Sequence, residues 1–154
     1  MRQIFRIVSK ILQKVNKAEL EILKNIAKSE LKILGNYFIS LFSFESNEPG
    51  DLNFGQYEII NVIETNGDWY TGQIDDLVNR TKINGIFPSN YVKKFDFPIE
   101  YLQKFNIAIA IQDYTRKSNE EVSLRVHDLI AITQLSPDNQ WSYGEVVVSN
   151  CWSN

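Results

Sequence analysis

A single cysteine, Cys151, leaves the chain without an intramolecular disulfide framework, so nothing in it calls for an oxidising compartment, and a cytoplasmic setting is expected. The single histidine, His127, has no partner at a zinc-ligand spacing, and the seven glycines form no phosphate-cradling loop. No run approaches the roughly 20 continuous apolar residues of a membrane-spanning helix, because charges recur every few positions. The opening residues mix arginines with apolar side chains and lack the small-residue cleavage pattern of a secretory signal. Asn79-Arg80-Thr81 has glycosylation spacing, which is inert in the expected compartment. The neighbouring carboxylates Asp75-Asp76 and Glu120-Glu121 do not form an acid–base pair, since successive side chains diverge along an extended chain. No catalytic group, cofactor or metal is expected, and the chain reads as a binding protein and not an enzyme.

What is present divides sharply by charge. Residues 1–35 hold eight Lys and Arg against three Glu, a net of +5, which leaves −8 for the remainder of a chain whose total is −3. A basic arm on an acidic body points to different partners for the two parts. Phosphate is repelled by such a body, so nucleic acid is not an expected partner. The arm contains no proline, and Gly35 ends it at a position suited to a helix cap. Apolar residues at Ile4, Val8, Ile11, Val15, Ala18 and Ile22 alternate spacings of four and three, which predicts an amphipathic α-helix over residues 1–35. Such a helix has three uses: docking on its own protein or a neighbouring helix, lying on an anionic membrane, or pairing as a short coiled coil.

From Tyr37 the texture changes to short β-rich runs separated by polar turns, the pattern of an all-β barrel. Phe38 to Phe42 and Tyr57 to Ile63 read as strands. Ser46 to Asp51 reads as a polar hairpin tip, and Asn66-Gly67 as a turn before a strand from Trp69 to Ile74. Asp75 to Lys82 is expected to be a connection leading into a strand from Ile83 to Phe87.

These runs carry motifs in a fixed order: Ser40-Leu41-Phe42-Ser43-Phe44, then Gly50-Asp51-Leu52-Asn53-Phe54, then Trp69-Tyr70-Thr71-Gly72, then Gly85-Ile86-Phe87-Pro88-Ser89-Asn90-Tyr91-Val92. Together they resemble the Src-homology-3 (SH3) family over residues 36–95, which implies a small five-stranded barrel that binds proline-rich segments. Two departures stand out. Phenylalanines replace the first two groove tyrosines, and the connection between Gly72 and Gly85 is longer than usual for the family. By this resemblance Phe42, Phe44, Pro88 and Tyr91 line two proline pockets. Trp69 separates them from a third, where Glu48, Asp51 and Asp68 attract an arginine or lysine. Trp69 and Asn90 are expected to donate hydrogen bonds to ligand carbonyls, which a polyproline II helix leaves unsatisfied.

The pattern recurs about 70 residues later, joined through a linker at residues 96–106. Ala110-Ile111-Gln112-Asp113-Tyr114, Glu120-Glu121-Val122-Ser123-Leu124 and Trp141-Ser142-Tyr143-Gly144-Glu145 resemble the first three motifs. Nothing like the fourth follows Glu145, and Gln112 replaces the first groove aromatic, so residues 107–154 are expected to be a partial SH3-like barrel unable to bind proline-rich ligands normally. The expectation is therefore a mainly β protein with a leading helix. It acts as a cytoplasmic adaptor, cortical or cytoskeleton-associated, for proline-rich segments flanked by Arg or Lys. Attachment of the chain to an anionic membrane through residues 1–35 is the competing reading.

Overall fold

A computed structural model describes residues 3–15, 37–76, 81–94 and 105–148. Its strands are β1 (Phe5–Val8), β2 (Leu12–Lys14), β3 (Tyr37–Ser40), β4 (Ile59–Asn66), β5 (Trp69–Asp76), β6 (Thr81–Pro88), β7 (Val92–Lys94), β8 (Asn106–Ala110), β9 (Leu129–Leu135) and β10 (Trp141–Val148). Two 3-10 turns, Ser9–Ile11 and Ser89–Tyr91, join β1 to β2 and β6 to β7. The chain divides into two compact bodies. One is built from residues 37–94, the other from residues 3–15 together with 105–148.

In the central body the five strands run β6-β5-β4-β3-β7, all antiparallel, so that the first and last strands of the segment lie side by side. Alternation along these strands places Ile60, Val62, Phe87 and Val92 in one buried cluster, which Leu52 and Phe54 join from the segment between β3 and β4. Gly67, at φ +61°, closes the β4–β5 turn that Asn66-Gly67 predicts. Two glycines are required by close approach and not by φ. A Cβ at Gly72 would stand 2.7 Å from the Phe87 ring, and one at Gly85 would stand 2.6 Å from the Leu52 backbone nitrogen. The expected connection over Asp75 to Lys82 is in part strand: β5 and β6 pair outward as far as Asp76 opposite Thr81, and Lys82 Nζ lies 3.7 Å from Asp75 Oδ1. The extra length is thus absorbed as a longer hairpin.

The other body corrects the expected leading helix. No α-helix occurs among the described residues, and none there is long and apolar enough to cross a membrane. Residues 5–14 form strand, 3-10 turn and strand; positions 1–2 and 16–35 of the expected helix lie outside the described residues. The helical seam required Ile4 and Val8 inside. Instead Ile4 is 48% exposed while Ile7 and Ile11 are fully buried, packed with Ala108, Ala110, Leu124, Ile130 and Ile132. The reason is non-local. Residues 105–148 supply only three strands, as the partial repeat implies, and a three-stranded sheet has two open edges. β1 pairs along β10 and β2 along β8, giving the order β1-β10-β9-β8-β2. Ile- and Val-rich sequence suits a pleated edge, and the ladder and burial it gains there outweigh a marginal local helix.

The two sheets have the same strand order, with β1 and β2 standing where β6 and β7 stand. The correspondence extends to register: Phe5 faces Gly144 and Val8 faces Trp141, as Gly85 faces Gly72 and Pro88 faces Trp69. Arg6 N donates to Glu120 O at 2.9 Å, as Ile86 N donates to Gly50 O at 3.0 Å. His127, at φ +77°, repeats the turn that Tyr57 makes at φ +64°, and their amides donate to Ala110 O and Ser40 O respectively. The second body is therefore a circular permutant of the first, opened between the strands that β5 and β6 represent, with residues 37–94 inserted between its adjacent strands β2 and β8.

Candidate functional site

The aromatic part of the expected site is gathered on the central body. Phe42 and Phe44 follow β3, and Tyr91 ends the second 3-10 turn. Leu41 N donates to Tyr91 O at 2.8 Å, which ties the two segments together. The Tyr91 ring meets Phe42 edge-on at 5.9 Å and Phe44 at 5.5 Å between centroids. Phe44 rests on Phe54, and Phe54 on Phe87, so the surface rings are anchored in the core. Phe42 remains 48% exposed, a large apolar ring turned to solvent.

Trp69 begins β5 opposite Pro88, and the indole is 44% exposed. Ser89 N donates to Asp68 O at 2.8 Å, which fixes the 3-10 turn against the β4–β5 turn and places the exposed Asn90 in it. The acids come from two loops. Glu48 and Asp51 share one hairpin, where Asp51 N donates to Glu48 O at 3.3 Å and Asp51 Oδ2 accepts from Ser46 Oγ at 2.6 Å. Asp51 also bridges to Ile86 on β6, beside the Trp69 end of that hairpin. Asp68 is exposed on the neighbouring turn. Of the nine expected residues, Phe42, Phe44, Glu48 and Asp51 lie on the segment after β3, Asp68 in the β4–β5 turn, Trp69 at the start of β5, and Pro88, Asn90 and Tyr91 at the end of β6 and in the 3-10 turn that follows.

The same positions in the permuted body carry different chemistry. Gln112 stands for Phe42, Tyr114 for Phe44, Ser118 for Glu48, Glu121 for Asp51, Gln140 for Asp68 and Trp141 for Trp69. From the first segment, Val8, Lys10 and the buried Ile11 stand for Pro88, Asn90 and Tyr91. Val8, Ser9, Lys10, Asn139, Gln140 and Trp141 line one open groove. Glu121 is buried and held from three sides: Tyr114 Oη donates to Oε1, Ser118 Oγ donates to Oε2 at 3.2 Å, and Arg6 Nη2 approaches Oε2 at 3.5 Å. The Tyr114 hydrogen bond, helped by Ser118 and Arg6, holds the Glu121 carboxyl below its usual range against the opposing effect of burial. The same hydrogen bond, with burial and the Glu121 charge, raises the Tyr114 phenol. Sequence reasoning missed Arg6, Val8 and Lys10. The signal was present: Ser9 and Lys14 repeat Ser89 and Lys94 at the same spacing, in the one motif that the second repeat lacks.

Residues 39–89 match the SH3 domain family, and the motifs, barrel and register agree. They are an SH3 domain, a protein-interaction module of the kind that docks proline-rich segments in aromatic-lined grooves. Among curated proteins, intersectin-1 of Xenopus laevis and of Homo sapiens are each 35% identical over 115 residues, 70% of this chain. The chain spans only 6% of the length of either. A class E vacuolar protein-sorting machinery protein of Coccidioides immitis is 39% identical over 62 residues, covering 40% of this chain and 9% of its own. The Dictyostelium discoideum myosin IC heavy chain is 34% identical over 58 residues, 37% of this chain and 5% of its own. Among solved structures, the SH3 domain of an S. cerevisiae hypothetical 40.4 kDa protein in complex with a peptide is 32% identical, covers 39% of this chain and 95% of its own, and has a TM-score of 0.34.

Proposed function

We propose that residues 37–94 recruit partner proteins by binding a proline-rich segment that carries a flanking Arg or Lys, and that the chain works as a non-catalytic adaptor in cytoplasmic cytoskeletal or endocytic signalling. The observation that carries this reading is the aromatic row: Tyr91 in ring contact with both the exposed Phe42 and the half-buried Phe44, with Trp69 exposed opposite Pro88. Flat apolar walls suit the ridges of a polyproline II helix, whose preformed backbone limits the ordering cost of binding. Phe42 and Tyr91 form one pocket, Tyr91 and Pro88 the next. Glu48, Asp51 and Asp68 hold the ligand cation across Trp69. Likeness to a myosin heavy chain and to a vacuolar protein-sorting component supports the cytoskeletal and endocytic setting.

A contact this small gives micromolar affinity, about −8 kcal/mol. The test is titration of a peptide bearing PxxP and a flanking arginine into the full chain. Trp69→Lys should abolish binding while the thermal unfolding of the chain is unchanged. Binding that survives this substitution rules the reading out.

A further inference from the structure

The permuted body keeps the tryptophan and the acid of a cation subsite and fills that subsite itself. Trp141 and Glu121 occupy the positions of Trp69 and Asp51, and between them lies the guanidinium of Arg6. Its Cζ sits 4.2 Å from the centre of the Trp141 ring, Nη2 is 3.5 Å from Glu121 Oε2, and Nη1 is 3.9 Å from Glu120 Oε2. In the central body the register position of Arg6 is held by Ile86, which is apolar and leaves Trp69 and its acids to an incoming charge.

We propose that Arg6 is an intramolecular occupant of this second cation subsite, so that the permuted body excludes cation-flanked segments and only the central body accepts them. Two features make the occupant a specific one. A planar guanidinium can stack on an indole face while its edge meets carboxylates, which an ammonium does poorly. Glu121 is positioned by hydrogen bonds from Tyr114 and Ser118 in addition to its contact with Arg6, so the site is organised for a cation whether the cation comes from this chain or from another. The rest of that surface is poorer for prolines, because Gln112 and the buried Ile11 remove one pocket. Arg6 thereby sets specificity: it makes two bodies of one architecture differ in what they accept.

The proposal rests on the ligand class assigned to the central body, and two indole reporters separate the two readings. The full chain is titrated with an arginine-flanked PxxP peptide while the Trp69 and Trp141 indole signals are followed by NMR. Movement of Trp69 reports on the central site alone. In the native chain Trp141 should stay still at peptide concentrations that saturate Trp69. In Arg6→Met, which keeps the apolar stem over the ring and removes the charge, Trp141 should move, with apparent affinity at least tenfold higher than in the native chain. Arg6→Ile, the residue of the other body, serves as a second variant if the first is misfolded by the dispersion of its spectrum. Trp141 moving equally in the native chain, or staying still in the folded variants, overturns the proposal whatever Trp69 does.

Discussion

The two bodies share a strand order, a register and the same positive-φ turn, yet one is written continuously in the chain and the other is assembled from pieces about 90 residues apart. What separates them is where the last two strands come from. In residues 37–94, β6 and β7 follow β5 directly, β6 pairs with its sequence neighbour β5, and β7 closes on β3 within the same segment. In the permuted body the equivalent strands precede everything else, and the sheet closes only when they return to it. The difference shows that an SH3-like barrel is specified by which edges must be covered, and not by the order in which the chain covers them. On the surface, a tryptophan and an acid recur as Trp141 and Glu121, while the register position of Ile86 is taken by Arg6, which lies against both.

The largest effect expected on this comparison comes from its most distant link. Ile11→Ala should cost the permuted body about 2–5 kcal/mol, because the side chain is wholly buried in a core made mostly of residues 108–132. Hydrogen exchange should quicken at Ile130 and leave Ile60 in the other body unchanged. Equal quickening at both, or at neither, would break the assignment of residues 5–14 to this sheet. A smaller and opposite effect is expected from Gly85→Ala, whose Cβ would press on the Asp51–Leu52 backbone. Overpacking of this kind costs about 1–3 kcal/mol, and here it should lower protection of Ile60 alone.

The smallest effect separates the bodies by pH. Glu121 is held below its usual range, so its contribution to stability is present above the ordinary carboxylate pKa and is lost as pH falls through the depressed value. Tyr114 is raised, so its contribution is present below the ordinary phenol value and disappears as pH rises past it. The permuted body should therefore lose stability at both ends of the range. Tyr114→Phe, followed by body-specific hydrogen exchange across pH, should weaken both slopes. Unchanged slopes would remove the Tyr114–Glu121 hydrogen bond from the account.

Much of the central body was legible without coordinates, because its motifs are local. Asn66-Gly67 makes its turn, the strand around Trp69 follows at once, and Phe87-Pro88-Ser89-Asn90-Tyr91 leads to the last strand through a short 3-10 turn. Strand ends were hidden: β3 stops at Ser40 and not Phe42, β4 runs on to Asn66, and β5 and β6 extend beyond Ile74, since polar residues such as Asp75 and Lys82 read equally well as a loop until each is seen opposite the other. The nine residues expected to bind could be picked out for the same reason, although which of them touch one another could not.

Residues 5–14 were expected to be helix and form strands instead, because their apolar spacing suits both. Ile7, Ile11 and Val15 are four apart, a spacing that one helix face buries and that a strand broken by a 3-10 turn buries equally well. Basic residues between them suit either. Apolar spacing, turn chemistry and motif order settled by themselves that the chain would build β-barrels with an aromatic surface between 37 and 94. Which strands would close the second sheet was decided only in three dimensions, because the open edges of β8 and β10 are created by residues far away in the chain, and a hydrogen-bonded edge with a buried Ile7 and Ile11 is worth more than the local turns of an isolated helix.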